Sequence, residues 1–505
     1  MKKLILFSIL SALAPAILAQ NLTDGLRYSL DANEGTARFQ AMSGAFGALG
    51  GDLSAVSLNP AGSAVFLNNK VSITGAFNDV ENSSIYFGSP ALSADTDVNI
   101  SQGGGVFVFY NDYDNSPWQK FTLAVNYNVN RNLDNDLFVK GDGNTSIGSF
   151  FLQQAQGTEL QLLDLQTGES ISDLYNFLGE TQGVRAQNAF LGYQGFIFDP
   201  VETTPGNTQY TSNFGTGSYD QEYYLLSNGN NAKVTFNIGA QYQDNLFFGI
   251  NLNSHTIDYE QRTFISEINS NANSTVKLIE FENDLSVNGA GFSAQIGAIA
   301  KLTNEFRIGF TYDTPTWFVI SEETTQFLET RRVVDGQSIS EVVNPQVINV
   351  FEDYNLRTPG RLGASAAYVF GGQGLISFDY SYKDYSNITF SPKSDPVFSS
   401  ENTLIDSALK GASTYKVGAE FRVDELSLRG GLSYEESPFT NETTLGERQG
   451  YSLGLGYNFG GYHIDVAYSR TEQSSNPSLY AIGLTDTAAV DTVYSNFLFT
   501  LGIDL

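Results

Sequence analysis

The feature that most constrains this chain is a strict alternation of apolar with polar or small residues, repeated in long segments. In one of them Phe121, Leu123, Val125, Tyr127 and Val129 alternate with Thr122, Ala124, Asn126 and Asn128. In another, Val234, Phe236, Ile238, Ala240 and Tyr242 alternate with Thr235, Asn237 and Gln241. Successive side chains of a strand point to opposite faces, so each segment builds a wall apolar on one side and polar or small on the other. A soluble sandwich shows the same pattern. Long strands, aromatics near the ends of the apolar face, and short turns alternating with long polar loops favour a transmembrane barrel instead.

The turns set the strand number. Six short ones occur at 111–119, 243–245, 303–305, 371–374, 424–425 and 460–461, the last two reading Asp-Glu and Gly-Gly between alternating runs. They predict six hairpins. One strand before them, at 70–77, and one at the end, 493–505, complete fourteen, starting near 70, 104, 119, 232, 245, 284, 305, 360, 374, 413, 426, 449, 462 and 493. An even number suits a bacterial barrel, and the last strand alternates Phe497, Phe499, Leu501, Ile503 and Leu505.

Residues 1–19 read as a secretory signal peptide: a basic start, an apolar run, and Ala19-Gln20 as the cleavage point. No later run is long and apolar enough for a membrane helix. The chain has no cysteine, which excludes disulfides, thiolate metal sites and a cysteine nucleophile. With 55 Asp and Glu against 26 Lys and Arg, it is not built to bind nucleic acid. The 27 Tyr and 37 Phe suit a lipid face and its aromatic girdles.

The connection at about 132–231 is by far the longest and carries apolar residues at helical spacing, with Ser172 as an expected N-cap. Its apolar cluster, Phe150, Phe151, Leu174, Phe177, Leu178, Phe190 and Phe196, is either a ligand-capture site or the loop's own core. Catalytic groups are scarce. The two histidines are His255 and His463, and His463 with Asp465 reads as a lumenal hydrogen-bond pair. Neither GxSxG nor HExxH is present, GALGGD is a poor phosphate loop, and DNDLFVKGDGN lacks the calcium-loop spacing. No enzyme activity, metal or cofactor is expected.

Charges on the polar faces include Asp379, Lys383, Lys416, Glu420, Arg422, Arg429 and Glu435. They should face the lumen, since charge on the lipid face is costly. There they form an ion-pair lattice, or one cation, Lys416 or Arg429, meets the carboxylate of a passing ligand. Residues 20–69 are too apolar for a free tail and lack a spanning pattern. Their small-residue stretch SGAFGALGGDLSAVSLNPAGSAVF could fold inside the lumen of a barrel formed by 70–505, with Asn59-Pro60-Ala61 as its bend.

Three stretches resemble the FadL/TodX family of outer-membrane transporters for hydrophobic compounds. They are GTARFQAMSGAFGALGGDLSAVSLNPAGSAVF (35–66) with its Asn-Pro-Ala, IGFTYDTPTWF (308–318), and LRTPGRLGASAAYVF (356–370) followed by ISFDYSYKDYSNITF (376–390). The last pair is similar to branches of the family in Bacteroidetes. The resemblance implies a fourteen-stranded barrel in the outer membrane, plugged by an N-terminal hatch. It implies passive uptake of a hydrophobic small molecule such as a long-chain fatty acid, caught by the outer loops, with outer-membrane lipid around the wall. It also implies a gap in the wall, for which Gly103-Gly104-Gly105 is a candidate weak point. A second implied role is a partner of secretion-system components, as in type IX protein secretion. A barrel enzyme acting on lipid is the third reading.

Overall fold

The computed structural model describes residues 21–505 apart from 33, 114 and 115. The expected signal peptide lies outside the described residues. The alternating segments form a closed antiparallel barrel of fourteen strands. These are β1 (Lys70–Tyr86), β2 (Ser89–Tyr110), β3 (Trp118–Asn132), β4 (Tyr219–Tyr242), β5 (Leu246–Ile268) and β6 (Val276–Lys301). Three broken strands follow: β7 (Phe306–Asp313, Trp317–Val334), β8 (Tyr354–Arg357, Arg361–Val369) and β9 (Gly374–Asp384, Thr389–Ser391). The rest are β10 (Gly411–Val423), β11 (Leu426–Glu435), β12 (Leu445–Asn458), β13 (Tyr462–Ser475) and β14 (Ala489–Asp504). The β1–β14 ladder closes the wall, from Lys70↔Asp504 to Ile85↔Ala489.

The period-two pattern falls as the sequence predicts. Phe121, Leu123 and Val125 on β3, Phe236 and Ile238 on β4, and Phe248, Ile250 and Leu252 on β5 are exposed on the outside. Thr122, Asn126, Thr235, Asn237, Asn251 and Asn253 between them are buried inside. A continuous apolar belt on a polar-lined barrel is the signature of a lipid-facing wall. No helix among the described residues is long and apolar enough to cross a membrane.

Several strands begin before their expected starts: β2 at Ser89 rather than 104, β4 at Tyr219 rather than 232, β6 at Val276 rather than 284, and β14 at Ala489 rather than 493. The cause is common to them. Beyond the lipid belt both strand faces meet water or protein, so the apolar alternation fades while the backbone ladder continues. The expected outer loop between β1 and β2 is in fact a hairpin turning at Phe87-Gly88, paired from Tyr86↔Ser89 inward. Gly103, Gly104 and Gly105 are laddered on both sides, to β1 and to β3, so the wall is intact there. β7 and β8 break at Thr314-Pro315-Thr316 and Thr358-Pro359-Gly360, where proline cannot donate to a ladder. A 3-10 turn at Tyr385–Asn387 interrupts β9 beside them.

The long connection folds as a cap over the outer end. It contains the strand Asn135–Gly143, helices α4 (Gly148–Ala155), α5 (Ile171–Gln182) and α6 (Val184–Gln194), and the pair Phe198–Pro200 and Tyr210–Ser212. The α5 cap is Ser170, two residues before the expected Ser172. Its hydroxyl accepts from the Asp173 amide and the Asp173 carboxylate accepts from the Ser170 amide, a capping box. Phe150, Phe151, Leu174, Leu178 and Phe190 are buried together in the cap core, whereas Phe177 and Phe196 are 47% and 37% exposed.

At the base of this core stands Glu267, far along β5 beyond the exposed Asp258 and Glu260 and so outside the lipid belt. Its carboxylate accepts from the Ile147 amide and from Gln221 Nε2, each at 2.7 Å, and from the Ser146 hydroxyl. Burial pushes the Glu267 carboxyl up to about 7, against the pull of these hydrogen bonds. A carboxyl raised in the fold stabilises most below its unfolded value near 4.5, and that contribution is lost as pH rises through about 7. Amide hydrogen exchange across residues 144–156, corrected for intrinsic rates, should therefore be slower at pH 5 than at pH 8. Glu267→Gln should remove this difference; a difference that persists would assign it to another group. In the same cap, Phe190→Ala should cost about 3–5 kcal/mol of local stability. Phe177→Ala should cost under about 1 kcal/mol, measured by limited proteolysis in urea.

Candidate functional site

The N-terminal segment fills the barrel. Helix α1 (Leu22–Arg27) packs at the outer side, where the Leu22 amide donates to Glu401 on helix α7 (Pro396–Ala408). The chain then descends through α2 (Ala37–Ala41), α3 (Leu53–Leu58) and the 3-10 turn Pro60–Val65 to the short-turn end. Its small residues are what the space permits. Gly239, Gly249 and Gly297 are directly paired across β4, β5 and β6. A Cβ on Gly249 would lie 2.2 Å from the Pro60 carbonyl, and one on Gly297 would lie 2.1 Å from Asn59 Oδ1. The glycine row is a groove in which Asn59-Pro60-Ala61 is seated.

One rung further out on the same faces are Asn237, Asn251 and Gln295, again paired with one another. Their amides donate to plug carbonyls: Asn237 to Pro60 O at 2.9 Å, Asn251 to Val56 O at 2.8 Å, and Gln295 to Ser57 O at 3.1 Å. The C-terminal carbonyls of α3 thus find wall partners. Asn59 is fully buried and holds the bend from within. Its Nδ2 donates to Gly47 O at 2.6 Å and to Ala298 O at 3.3 Å, and its Oδ1 accepts from the Ala61 amide at 3.1 Å.

On the opposite wall the plug is held by charge. Arg38 donates to Glu420 at 2.8 Å, Glu420 also receives Arg429 at 2.6 Å and Arg422 at 2.6 Å, and Arg429 bridges to Asp465 at 2.5 Å. Asp379 accepts from the Phe46 and Gly47 amides at 3.0 and 2.8 Å. Arg429 is therefore committed to the plug lattice. His463 Nε2 stands 3.5 Å from Asp465 and belongs to the same lattice.

Between the plug and the wall the lumen holds a cavity of about 180 Å³. Lys416 lines it, as do Lys233, Arg361, Lys383, Asp31 and Glu435. The breaks in β7 and β8 contribute Thr314, Thr316, Thr358 and Pro359. The structure thus separates the two candidate cations: Lys416 reaches the cavity and Arg429 does not. The capture residues are separated too, since only Phe177 and Phe196 present substantial surface.

A smaller cavity, about 50 Å³, lies between the plug and the wall from β11–β14 round to β1 and the end of β3, among Leu30, Asn78, Arg131, Arg448, Gln473 and Tyr494. Sequence reading missed the wall beside it. β2 is laddered to β1 along its length but to β3 only from Gln102↔Asn128 to Tyr110↔Lys120. β3 shifts register against β4 between Val129 and Arg131. The outer half of β2 is bridged by side chains instead: Ser93 Oγ donates to Asp136 O at 2.8 Å, and Asn132 Nδ2 approaches Asp97 Oδ2 at 3.4 Å. Val98 and Ile100, 72% and 57% exposed, mark this seam on the outside. The Asn-rich stretch at the end of β3, after Val129, is its trace in the sequence.

A family model described as outer membrane protein transport protein (OMPP1/FadL/TodX) matches residues 179–491. A crystal structure of a Pseudomonas aeruginosa FadL homologue superposes with a TM-score of 0.54 at 12% identity, covering 94% of this chain and 99% of the other. The Pseudomonas putida toluene transporter TodX gives 0.51 at 13% identity, covering 94% and 99%. At these identities the likeness is one of fold. No curated protein sequence is detectably similar to this one.

The glycine groove yields a direct test. Gly249→Val or Gly297→Val should unseat the Asn-Pro-Ala bend while leaving strand pairing possible. The expected outcome is a barrel that still migrates as heat-modifiable but whose residues 35–66 become protease-sensitive and whose conductance in planar bilayers rises. A variant with wild-type conductance and protection would show that the groove does not hold the plug.

Proposed function

Because the chain belongs to the OMPP1/FadL/TodX family of outer-membrane transport proteins, we propose that it carries hydrophobic small molecules, such as long-chain fatty acids, passively into the cell envelope. A solved structure of the same fold is named a toluene transporter, which supports an apolar ligand. Capture at the cap would use the exposed Phe177 and Phe196. Each CH₂ removed from water is worth roughly 0.8 kcal/mol, enough to drive partitioning without an energy source. A ligand carboxylate would meet Lys416 in the lumenal cavity.

The observation that carries this reading is the seam between β2 and β3. The plug seals the axial route with buried hydrogen bonds and ion pairs, whereas beyond Gln102 the seam has no β2–β3 ladder and is bridged by Ser93 and Asp97 to residues 132–138. An apolar ligand that leaves sideways enters lipid and never pays the cost of re-entering water. Residues 21–69 act in this proposal as a hatch whose outer portion yields to the ligand.

The chain has no native cysteine, so the exit can be locked cleanly. In an Asp97→Cys, Asn132→Cys double variant, oxidation should stitch the seam and lower oleate uptake by cells at least about tenfold, and reductant should restore it. Oxidised protein that transports at the wild-type rate would place the exit elsewhere.

A further inference from the structure

Beyond the closed wall, β7 runs on into a hairpin. Its last part, Leu328–Val334, turns at Asp335-Gly336 and pairs with the strand Gln337–Val343. β6 covers the other side of β7. The strand Gln337–Val343 is therefore an edge: among the described residues it has one strand neighbour, and no backbone hydrogen bond reaches it from outside the hairpin. Ser338, Ile339, Ser340 and Val342 are exposed. Edges are commonly blunted by lysine, proline or a bulge, and QSISEVV has none of the three.

The turn decides which groups on this edge are free. Asp335 and Gly336 have φ of 50° and 78°, the positive pair of a two-residue I′ hairpin. Val334 and Gln337 then exchange hydrogen bonds, and bonded pairs recur at every second residue: Arg332↔Ile339, Thr330↔Glu341 and Leu328↔Val343. The N–H and C=O groups of Ser338, Ser340 and Val342 accordingly point to the open side.

Next to the end of this edge is a cleft of about 400 Å³. One side of it is the outward face of the wall, with Phe327 of β7 beside Glu282 of β6; the other is the loop 344–348, with Val347 and Ile348. Register fixes that face as outward, because the next pair, Leu328↔Phe281, lies in the cap core. Ile348 is 61% exposed. The cleft is no part of the lipid belt. Eight residues of β7, roughly 26 Å of strand, separate Phe327 from the belt residue Val319, and Ser321 and Glu323 are the outward residues that follow Val319.

Around edge and cleft, Glu282, Glu323, Glu329, Asp335 and Glu341 stand against Arg331 and Arg332, and Arg262, which reaches Glu282, also holds Asp284. The excess is acidic. A second copy is not the natural occupant. Two copies in one membrane present this strand running the same way, and a two-fold axis along the membrane normal holds their edges level, without the stagger that slanted parallel bonds need.

We propose that this hairpin docks an extended, basic segment of another polypeptide on the outer side of the membrane. The segment would add a third strand to the hairpin, taking its main-chain bonds from Ser338, Ser340 and Val342, and would place an apolar side chain in the cleft against Phe327 and Ile348. Ladder bonds supply affinity in such strand addition, and side-chain pockets supply specificity. This inference does not rest on the uptake of apolar ligands.

The test is selection of a phage-displayed library of random nine-residue peptides on the full barrel in nanodiscs, followed by fluorescence anisotropy with the selected peptides. They should be rich in β-branched residues and carry Lys or Arg. Ser340→Pro removes an open-side N–H and leaves the bonds of the hairpin itself intact, so it should weaken binding at least about tenfold, whereas Ser340→Ala should bind as wild type does. Methylating alternate backbone nitrogens of a peptide should weaken it as much. Ile348→Ser should weaken it about fivefold. Heat-modifiable migration confirms that each variant has assembled. The proposal is overturned if no selected peptide distinguishes wild type from Ser340→Pro, if methylated peptides bind equally well, or if acidic peptides are enriched instead. A dimer seen by analytical ultracentrifugation and lost in Ser340→Pro would assign the edge to a second copy and overturn it too. Oleate uptake is read independently, so failure here leaves the apolar route standing.

Discussion

The hydrogen bonds from Asn237, Asn251 and Gln295 to the carbonyls of the plug are the interaction on which the rest of the molecule depends. A barrel of fourteen strands is too wide for its own side chains to fill. Whatever fills it must bring backbone polar groups into a space where water is scarce, and each of those must be paired. The wall does this with side-chain amides on three neighbouring strands, which donate where α3 would otherwise leave its last carbonyls bare. The glycine row alongside lets the plug backbone come close enough for those bonds to form. Small residues in the plug and missing side chains in the wall are two halves of one fit.

That fit was half legible in the sequence. The small-residue run around Asn59-Pro60-Ala61 signalled something folded inside, because it was too apolar for a tail and too irregular for a strand. Its counterpart was not legible: Gly239, Gly249 and Gly297 are spread over 58 residues of sequence and become adjacent only once register is known. The lipid belt was readable for a simpler reason. Lipid on one side and polar lumen on the other impose the period directly, so β3 and β4 announce themselves. Where the strands rise out of the membrane that contrast disappears. β2 then lost its first fifteen residues to an imagined loop.

The loop aromatics show the same limit. Helical spacing placed Leu174 and Leu178 on one face of α5, but spacing cannot say whether a face meets a ligand or a neighbouring helix. Burial decides it. Phe150, Phe151 and Phe190 are the interior of a small helical domain, at whose surface Phe177 and Phe196 stay exposed. The lumenal charges divide in a similar way. Arg429, sandwiched between Glu420 and Asp465, is a plug anchor: Glu420 also holds Arg38 and Arg422, but removing Arg429 would leave buried Asp465 without its guanidinium. Lys416 stands one layer higher, at the cavity.

The strand breaks tie these layers together. β7 and β8 are interrupted at Thr-Pro steps and β9 by a 3-10 turn, all at the level of the cavity. A continuous strand offers the lumen only every second side chain and none of its backbone. At the breaks the strands stay joined by substitutes, Thr314 Oγ1 accepting from the Ala294 amide and the Thr358 amide donating to Thr316 O, while Thr314, Thr316, Thr358 and Pro359 line the cavity. The wall thus becomes polar and irregular where the cavity lies. On the far side, at the β2–β3 seam, it is thin. On the proposed route a ligand entering from the cap would meet both: a polar chamber suited to hydrogen bonds and charge, and a lateral margin flanked by Val98 and Ile100 suited to apolar surface. On that route, chamber and margin would sort molecules by chemistry before the plug has to move at all.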